Sequence, residues 1–397
     1  MQKLTIRDID VSGKRVLVRV DFNVPLGRKK GGISDDSRIR AVLPTIYNLI
    51  ERGASVILCS HMGRPDGKVV ESLRMGVVGA CLSELLKKPV KIVEDCIGSE
   101  AKQAAESLQA GEVLLLENLR FYPEEEKNDS EFARSLASLA DIYVNDAFGT
   151  AHRKHASVVG VTKYLPSVAG LLIEKELLHL GGVMEKPAHP FGGLFGGAKV
   201  SDKVEMLENI MGNIDYLFIG GSMAATFLKA KGYETGLSLI EEDSLGTATN
   251  LMENAESNGA ILYLPLDVVV TAEADDKAIG ETVDIENIPP DKKIVDIGLR
   301  TIEYFSKKLR GCKTVFWNGP MGISEIPQFA LATRAMAELL AETNAVTIIG
   351  GGSSAEVMNS MGLANKITFI STGGGATLSY LGGQKLPGVE ALMDKSD

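Results

Sequence analysis

Residues 345–355 read AVTIIGGGSSA: an apolar β-branched run, three glycines, then small and hydroxyl residues. Such a run, closed by glycine and opening into a helix-like segment, is a buried parallel strand entering a tight strand-to-helix turn. The same unit recurs along the chain. In the first half the apolar runs are RVLVRV (15–20), ASVILCS (54–60), VKIVED (90–95), EVLLLEN (112–118) and IYVNDA (142–147). In the second half they are GGLF (192–195), YLFIGG (216–221), AILYLPLDVVV (260–270), TVFWNG (314–319), the opening stretch itself and KITFISTGGG (366–375). Continuous apolar strands alternating with helices imply parallel sheets covered on both faces. Two series imply two doubly wound, Rossmann-like α/β domains. SVAGLLIEKELLHLGGVM (167–184) has helical apolar spacing and lies between the series. It is expected to be a hinge helix ended by Gly181-Gly182.

Bulk properties agree. The chain has 397 residues, enough for two domains of about 150–200 residues each. It is 45% hydrophobic and 24% charged, which excludes a mainly disordered chain. No apolar run approaches the roughly 18 residues of a membrane span. The N-terminus MQKLTIRDID lacks a basic-then-apolar signal pattern, so a cytoplasmic location is expected. Cys59, Cys81, Cys96 and Cys312 lie far apart without CxxC spacing and read as reduced core thiols. The net charge, 42 − 52 = −10, disfavours nucleic acid as a partner. Residues 1–185 carry 25 basic and 25 acidic residues, whereas 186–397 carry 17 and 27, a step that suits two units with different tasks. The stretch GRKKGG (27–32) reads as a mobile turn without an assigned function.

Open parallel sheets bind ligands beyond the carboxyl ends of their strands. In the first half those segments are DFN (21–23), HMGRP (61–65), NLRF (118–121) and AFGTAHRKH (147–155), rich in Arg and His. Arg38, Arg64, Arg120 and Arg153, with His61 and His152, would build a pocket for a small, multiply charged anion, because guanidinium forks grip carboxylate and phosphate. In the second half they are GGAKVSDK (196–203), GGS (220–222), NGPMG (318–322), GGGSS (350–354) and TGGG (372–375). Glycine lets backbone N–H groups approach a phosphate closely. Lys199 and Lys203, four apart, would share one face of a helix start and point at the same phosphate. Gly350, Gly352 and Ala355 fit GxGxxA, but the acidic residue a dinucleotide site needs about 20 positions on is missing, which disfavours a dehydrogenase. No G-x4-G-K-[ST] and no HRD or DFG signature occurs. An anion pocket on one domain and a phosphate site on the other suggest phosphoryl transfer with domain closure.

At this level the chain resembles the phosphoglycerate kinase family. The matching stretches include RVLVRVDFNVPL, SHMGRPDG, LLLENLRFYPEEE, NDAFGTAHRKHAS, GGAKVSDK, WNGPMG, IIGGGSS and STGGGATLSYL, in the family's order, from about residue 15 to 390. The resemblance implies reversible transfer from 1,3-bisphosphoglycerate to ADP, giving 3-phosphoglycerate and ATP, with Mg²⁺. It implies a phosphoglycerate-binding domain over 1–169, joined by the tail 380–397, and a nucleotide-binding domain over 170–379. Asp21, Asn23, Arg38, His61, Met62, Gly63, Arg64, Arg120, His152 and Arg153 would hold the triose acid. Lys203, Gly220, Gly221, Pro320, Ile323, Glu325, Gly350, Gly351, Gly352 and Ser353 would hold nucleotide. Arg38, Lys199, Lys203, Gly373 and Gly374 would neutralise the migrating group. Ser353 stands where the family usually has Asp. Ile294, Leu299 and Ser379 replace a common Gly, Pro and Glu. Mg²⁺ would then be held mainly by nucleotide phosphates and water, or by Ser353 or Asp202. The implied partners are these small molecules, with no nucleic acid or membrane, and a monomer is expected. The alternative is a non-catalytic nucleotide-binding protein on the same fold.

Overall fold

The structure, a computed structural model, describes residues 3–27 and 32–395. The turn expected at 27–32 thus lies, for 28–31, outside the described residues. The chain divides into two compact units: residues 1–178 with 385–397, and residues 179–384.

In the first unit six strands pair in parallel: β1 (Arg15–Arg19), β2 (Ser55–Cys59), β3 (Val90–Ile92), β4 (Val113–Leu115), β5 (Ile142–Asn145) and β6 (Ser167–Ala169). Their order is β3-β4-β2-β1-β5-β6. The central strands are buried along their length, apart from Arg15, because helices such as Ser37–Glu51 and Gly76–Leu86 cover them. The chain runs outward from β1 in one direction and from β5 in the other. The neighbours β1 and β5 are therefore where the strand order reverses, and open α/β sheets take ligands beyond the carboxyl ends of the strands at such a point.

The stretch read as helix from 167 begins instead as β6, in register with β5 from Tyr143↔Ser167 to Asn145↔Ala169. Three buried residues, Ser167–Ala169, are too short for periodicity to tell strand from helix. The helix starts at Leu171 and runs to Glu185. Its first N–H groups are met by Asp146, which accepts from Leu172 at 2.8 Å and Ile173 at 3.2 Å. Gly181 and Gly182 do not end this helix but lie within it. Helix interiors tolerate glycine at a cost that packing can override. The boundary between the units falls inside the helix. At the other terminus, residues 385–395 return to the first unit. Gly388 N–H bonds Ala151 O at 2.8 Å, and Met393 N–H bonds Ser167 O at 3.0 Å.

The second unit holds β7 (Phe191–Phe195), β8 (Tyr216–Ile219), β9 (Ile261–Tyr263), β10 (Asp267–Thr271), β11 (Glu281–Asp284), β12 (Lys293–Ile297), β13 (Thr314–Asn318), β14 (Val346–Gly350) and β15 (Phe369–Ile370). Six form a parallel sheet ordered β15-β14-β13-β7-β8-β9, which reverses direction at β7 and β13. The run AILYLPLDVVV is not one strand. Pro265 cannot donate to a ladder, and the chain breaks there. β9 completes the parallel sheet, while β10 pairs antiparallel with β11 and β12 in a sheet of their own. Val268, Val270 and Ile294 pack that small sheet onto Ala225 and Leu228.

Cys59, Cys96 and Cys312 are buried, Cys81 is half-buried, and all four are free thiols. Burial pushes Cys59 and Cys312 up to about 12, so neither is a ready nucleophile. No helix among the described residues is long and apolar enough to cross a membrane.

Candidate functional site

The arginine-rich segments of the first unit leave the carboxyl ends of β1, β2, β4 and β5, strands that are neighbours in the sheet. Arg38, at the start of the helix Ser37–Glu51, bonds Asp21 Oδ2 at 2.7 Å. Asn23 Oδ1 accepts the Gly63 N–H at 2.9 Å, and Arg120 donates to Gly63 O at 2.8 Å. Asn118 fastens two of these loops together. It accepts from Met62 N at 3.1 Å and donates to Met62 O at 2.8 Å. Met62 itself is buried in the core, and Asn118 pairs with both its backbone N–H and its C=O.

His61 gathers the charges. It is buried, and burial, then the charges of Arg19, Arg120, Arg153 and Arg38, push its pKa well below the usual value. Burial and Arg153 likewise lower His152. His155 is pushed to about 3 by burial and then by Arg19, Arg120 and Arg153. Three neutral histidines among four guanidinium groups describe a field short of negative charge. Arg38 is offset by Asp21, and Arg120 Nε lies 3.0 Å from Glu126. Arg153 and Arg64 pair with no carboxylate among the described residues. Arg64 is exposed, and no contact ties it to the others.

Three polar residues behind this cluster are additional to the expected set: Arg19, Glu125 and Ser157, all buried. The signal for Arg19 is present in RVLVRV, where a second cation sits inside a strand that is otherwise apolar. Glu125 and Ser157 carry no comparable mark.

In the second unit every parallel strand but the edge strand β9 ends on a left-handed glycine: Gly197 after β7, Gly221 after β8, Gly319 after β13, Gly351 after β14 and Gly374 after β15. Two are forced by close approach. A Cβ on Gly221 would lie 2.4 Å from Gly197 N, and one on Gly319 would lie 2.4 Å from Gly196 O. These turns interlock. Gly197 N–H bonds Pro320 O at 2.8 Å, Gly221 N–H bonds Met321 O at 2.8 Å, and Gly319 N–H bonds Ser354 Oγ at 2.9 Å.

The two lysines part company. Lys203 closes a short 3-10 turn, Ser201–Lys203, and is buried, with its ammonium close to Gly197. Burial lowers its pKa against the pull of Asp202 and Glu241. Lys199 precedes that turn and is exposed, so the two do not share a helix face. Glu241 accepts from Val200 N at 2.5 Å and from Ser201 N at 3.2 Å and Oγ at 2.6 Å, and the turn opens at Ser201, after Lys199. Ile323 N–H bonds Val295 O at 2.9 Å. Glu325 and Ser353 are exposed, and Gly350 is buried. Gly373 already gives its N–H to Ser371 Oγ at 3.2 Å.

A Mg²⁺ ion carried on nucleotide phosphates needs only one or two protein oxygens. The described residues form no group of three or more His, Cys, Asp or Glu suited to a metal. The exposed Asp202 carboxylate and Ser353 hydroxyl lie at the glycine turns. This donor set fits a hydrated, phosphate-held ion.

Two doubly wound units, one with arginine-lined strand ends and one with glycine-turned strand ends, define a two-domain α/β protein whose strand ends suit anions and phosphates. The family model for phosphoglycerate kinase matches residues 6–384. A phosphoglycerate kinase of Dictyoglomus turgidum is 54% identical over 393 residues, 99% of this chain and 98% of that protein. One of Pelotomaculum thermopropionicum is 52% identical over 395 residues, the full length of both. Among solved structures, phosphoglycerate kinase from Pyrococcus horikoshii superposes with a TM-score of 0.87 at 34% identity, covering 98% of each chain. The chain belongs to the phosphoglycerate kinase family.

Proposed function

We propose that the chain is a working phosphoglycerate kinase, moving phosphate reversibly between the acyl phosphate of 1,3-bisphosphoglycerate and ADP. The observation that carries this reading is the division of labour between the units: arginines around neutral histidines in one, a buried lysine among glycine turns in the other. The first unit takes the triose acid. Asp21 and Asn23 meet its hydroxyl and carboxyl side, while Arg38, Arg64, Arg120 and Arg153 grip its charges, with His61 and His152 beside them. The second takes nucleotide. The turns at Gly220–Gly221, Pro320–Ile323 and Gly350–Ser353, with Lys203 and Glu325, surround it.

Towards 1,3-bisphosphoglycerate the nucleophile is a carboxylate, which has no proton to lose. No general base is required, and catalysis reduces to positioning and charge neutralisation. Arg38, Lys199 and Lys203 neutralise the migrating group, and Gly374 adds a backbone N–H. Burial makes Lys203 the strongest of these, because its field is least screened. Asp202 or Ser353 would supply the protein oxygen for a Mg²⁺ ion carried on the nucleotide phosphates, and the ion would supply charge neutralisation there. Ligands on separate units react only when the units close on them, and closure also keeps water from the acyl phosphate.

The relatives reported above bear the enzyme's name, and nothing supports the non-catalytic reading. A coupled assay tests the proposal: 3-phosphoglycerate, ATP and Mg²⁺ are mixed with the chain, and 1,3-bisphosphoglycerate is followed through glyceraldehyde-phosphate dehydrogenase and NADH. Turnover requiring all three is expected. No turnover with a chain that still binds both ligands would overturn it.

A further inference from the structure

Arg19 is 1% exposed, and no carboxylate lies within ion-pair distance of it among the described residues. Its donors go to three different acceptors. Nε donates to Ser157 Oγ at 2.9 Å, Nη1 to Val20 O, and Nη2 to His61 Nδ1 at 3.2 Å. A guanidinium has donors only, so His61 Nδ1 is the acceptor. A neutral imidazole that accepts at Nδ1 carries its single proton on Nε2. The same reasoning orients the group behind. Ser157 Oγ receives the Arg19 proton, so its own goes to Glu125 Oε1 at 2.5 Å, while Ser157 N–H goes to Oε2 at 2.8 Å. Glu125 is fully buried. Carboxylate, hydroxyl, guanidinium and imidazole form one directed chain whose end is His61. Among the described residues Nε2 of His61 has no hydrogen-bond partner.

We propose that Arg19 is a positioning residue, held by Ser157 and Glu125, that locks His61 as its neutral Nε2–H tautomer and so offers the substrate an uncharged hydrogen-bond donor beside Arg38, Arg120 and Arg153. This rests on the reading of the first unit as the triose acid site. The charged groups around His61 are Arg19 at the end of β1, Asp21 and Arg38 after it, Arg120 after β4 and Arg153 after β5. Among the described residues the one carboxylate within ion-pair distance of its ring is Asp21, 3.9 Å from Nδ1, and Arg38 already engages that carboxylate. Four cations against one anion oppose an imidazolium, and a proton on Nδ1 would have to displace Arg19. The advantage is specificity. Guanidinium groups grip any small anion, whereas a directed N–H at a fixed place rewards an oxygen that lies there.

The test is ring ¹⁵N NMR of the full chain, with the His61 signal assigned by its loss in His61→Gln. The Nε2–H tautomer, with no titration between pH 5.5 and 8, is the expected result. In Ser157→Ala the ring should titrate in that window or mix tautomers. The KM for 3-phosphoglycerate should rise about tenfold, the effect of one weakened charge-assisted hydrogen bond, with the KM for ATP unchanged. Ser157→Thr should restore both. A loss of packing alone would shift both KM values together and leave the ring spectrum as it was. An Nδ1–H tautomer or an imidazolium in the unaltered chain overturns the proposal, as does an unchanged His61 spectrum in Ser157→Ala. If the tautomer is found but calorimetry shows no uptake of 3-phosphoglycerate, the positioning role of Arg19 stands and the site reading falls.

Discussion

Arg38 and His155 show how one residue type differs from another in the same field. Arg38 is half-buried and bonded to Asp21, and the proposed function makes it a neutralising group for the migrating phosphate. Its loss removes charge that matters most when the phosphate is in flight. Arg38→Ala is expected to lower kcat by about 10²–10³ with a much smaller change in KM, judged from the loss of single oxyanion donors. Steady-state kinetics would contradict the role if both parameters moved equally. His155 is buried, its Nδ1 makes no hydrogen bond and lies 3.8 Å from Glu125 Oε1, and burial with the nearby arginines pushes its pKa to about 3. Above the unfolded value near 6.5 the folded and unfolded chains are both neutral here. As pH falls from 6.5 the unfolded chain takes a proton and the folded one does not, so stability is lost down to about pH 3. Asp146 and Asp296 act with the opposite sign. Burial raises both to about 7, so their contribution is lost as pH rises from 3.8 to 7. They are common to both proteins and cancel in a difference. His155→Gln should therefore lose less stability than the unaltered chain between pH 7 and 5, by up to about 2 kcal/mol at about 1.4 kcal/mol per unit. Urea unfolding at the two pH values measures it. Equal losses would show that His155 is protonated in the fold.

Elements differed in how openly the sequence declared them. The apolar runs on either side of the β1–β5 and β7–β13 reversals became the expected parallel strands, because fully buried strands leave an unbroken apolar signature. The antiparallel sheet of β10, β11 and β12 left none. β11 is the mostly exposed ETVD, and its half-buried Val283 packs against the cluster of Val268, Val270 and Ile294. β6 was hidden by its length. The helix Leu171–Glu185 was visible, but its end was misplaced, because a glycine pair is a local stop signal that the helix can run through. That placement has a consequence. Gly182 is exposed, and a Cβ there meets nothing within 4 Å. Gly182→Ala should stabilise the protein by about 0.5–1 kcal/mol through the unfolded chain's entropy. Differential scanning calorimetry showing a lower transition temperature would mean that position 182 is not helical.

At the scale of the whole molecule, the candidate ligand residues were legible and their framework was not. Arginines, histidines and glycines beyond strand ends stand out because each type has a chemistry of its own. The Arg19–Ser157–Glu125 chain joins residues from a strand, a loop 138 positions away and a helix of four residues, and only the fold brings them together. Lys199 and Lys203 make the converse point: they are four positions apart after one glycine turn, but one is exposed and the other buried. The central claim is that each unit holds its own reactant. Calorimetric titration of the full chain and of two variants, Arg153→Ala and Lys203→Ala, with 3-phosphoglycerate and with MgADP, tests it most directly. The account predicts that Arg153→Ala weakens uptake of 3-phosphoglycerate alone and Lys203→Ala that of MgADP alone. Loss of both ligands in either variant, or loss of the wrong one, would contradict it.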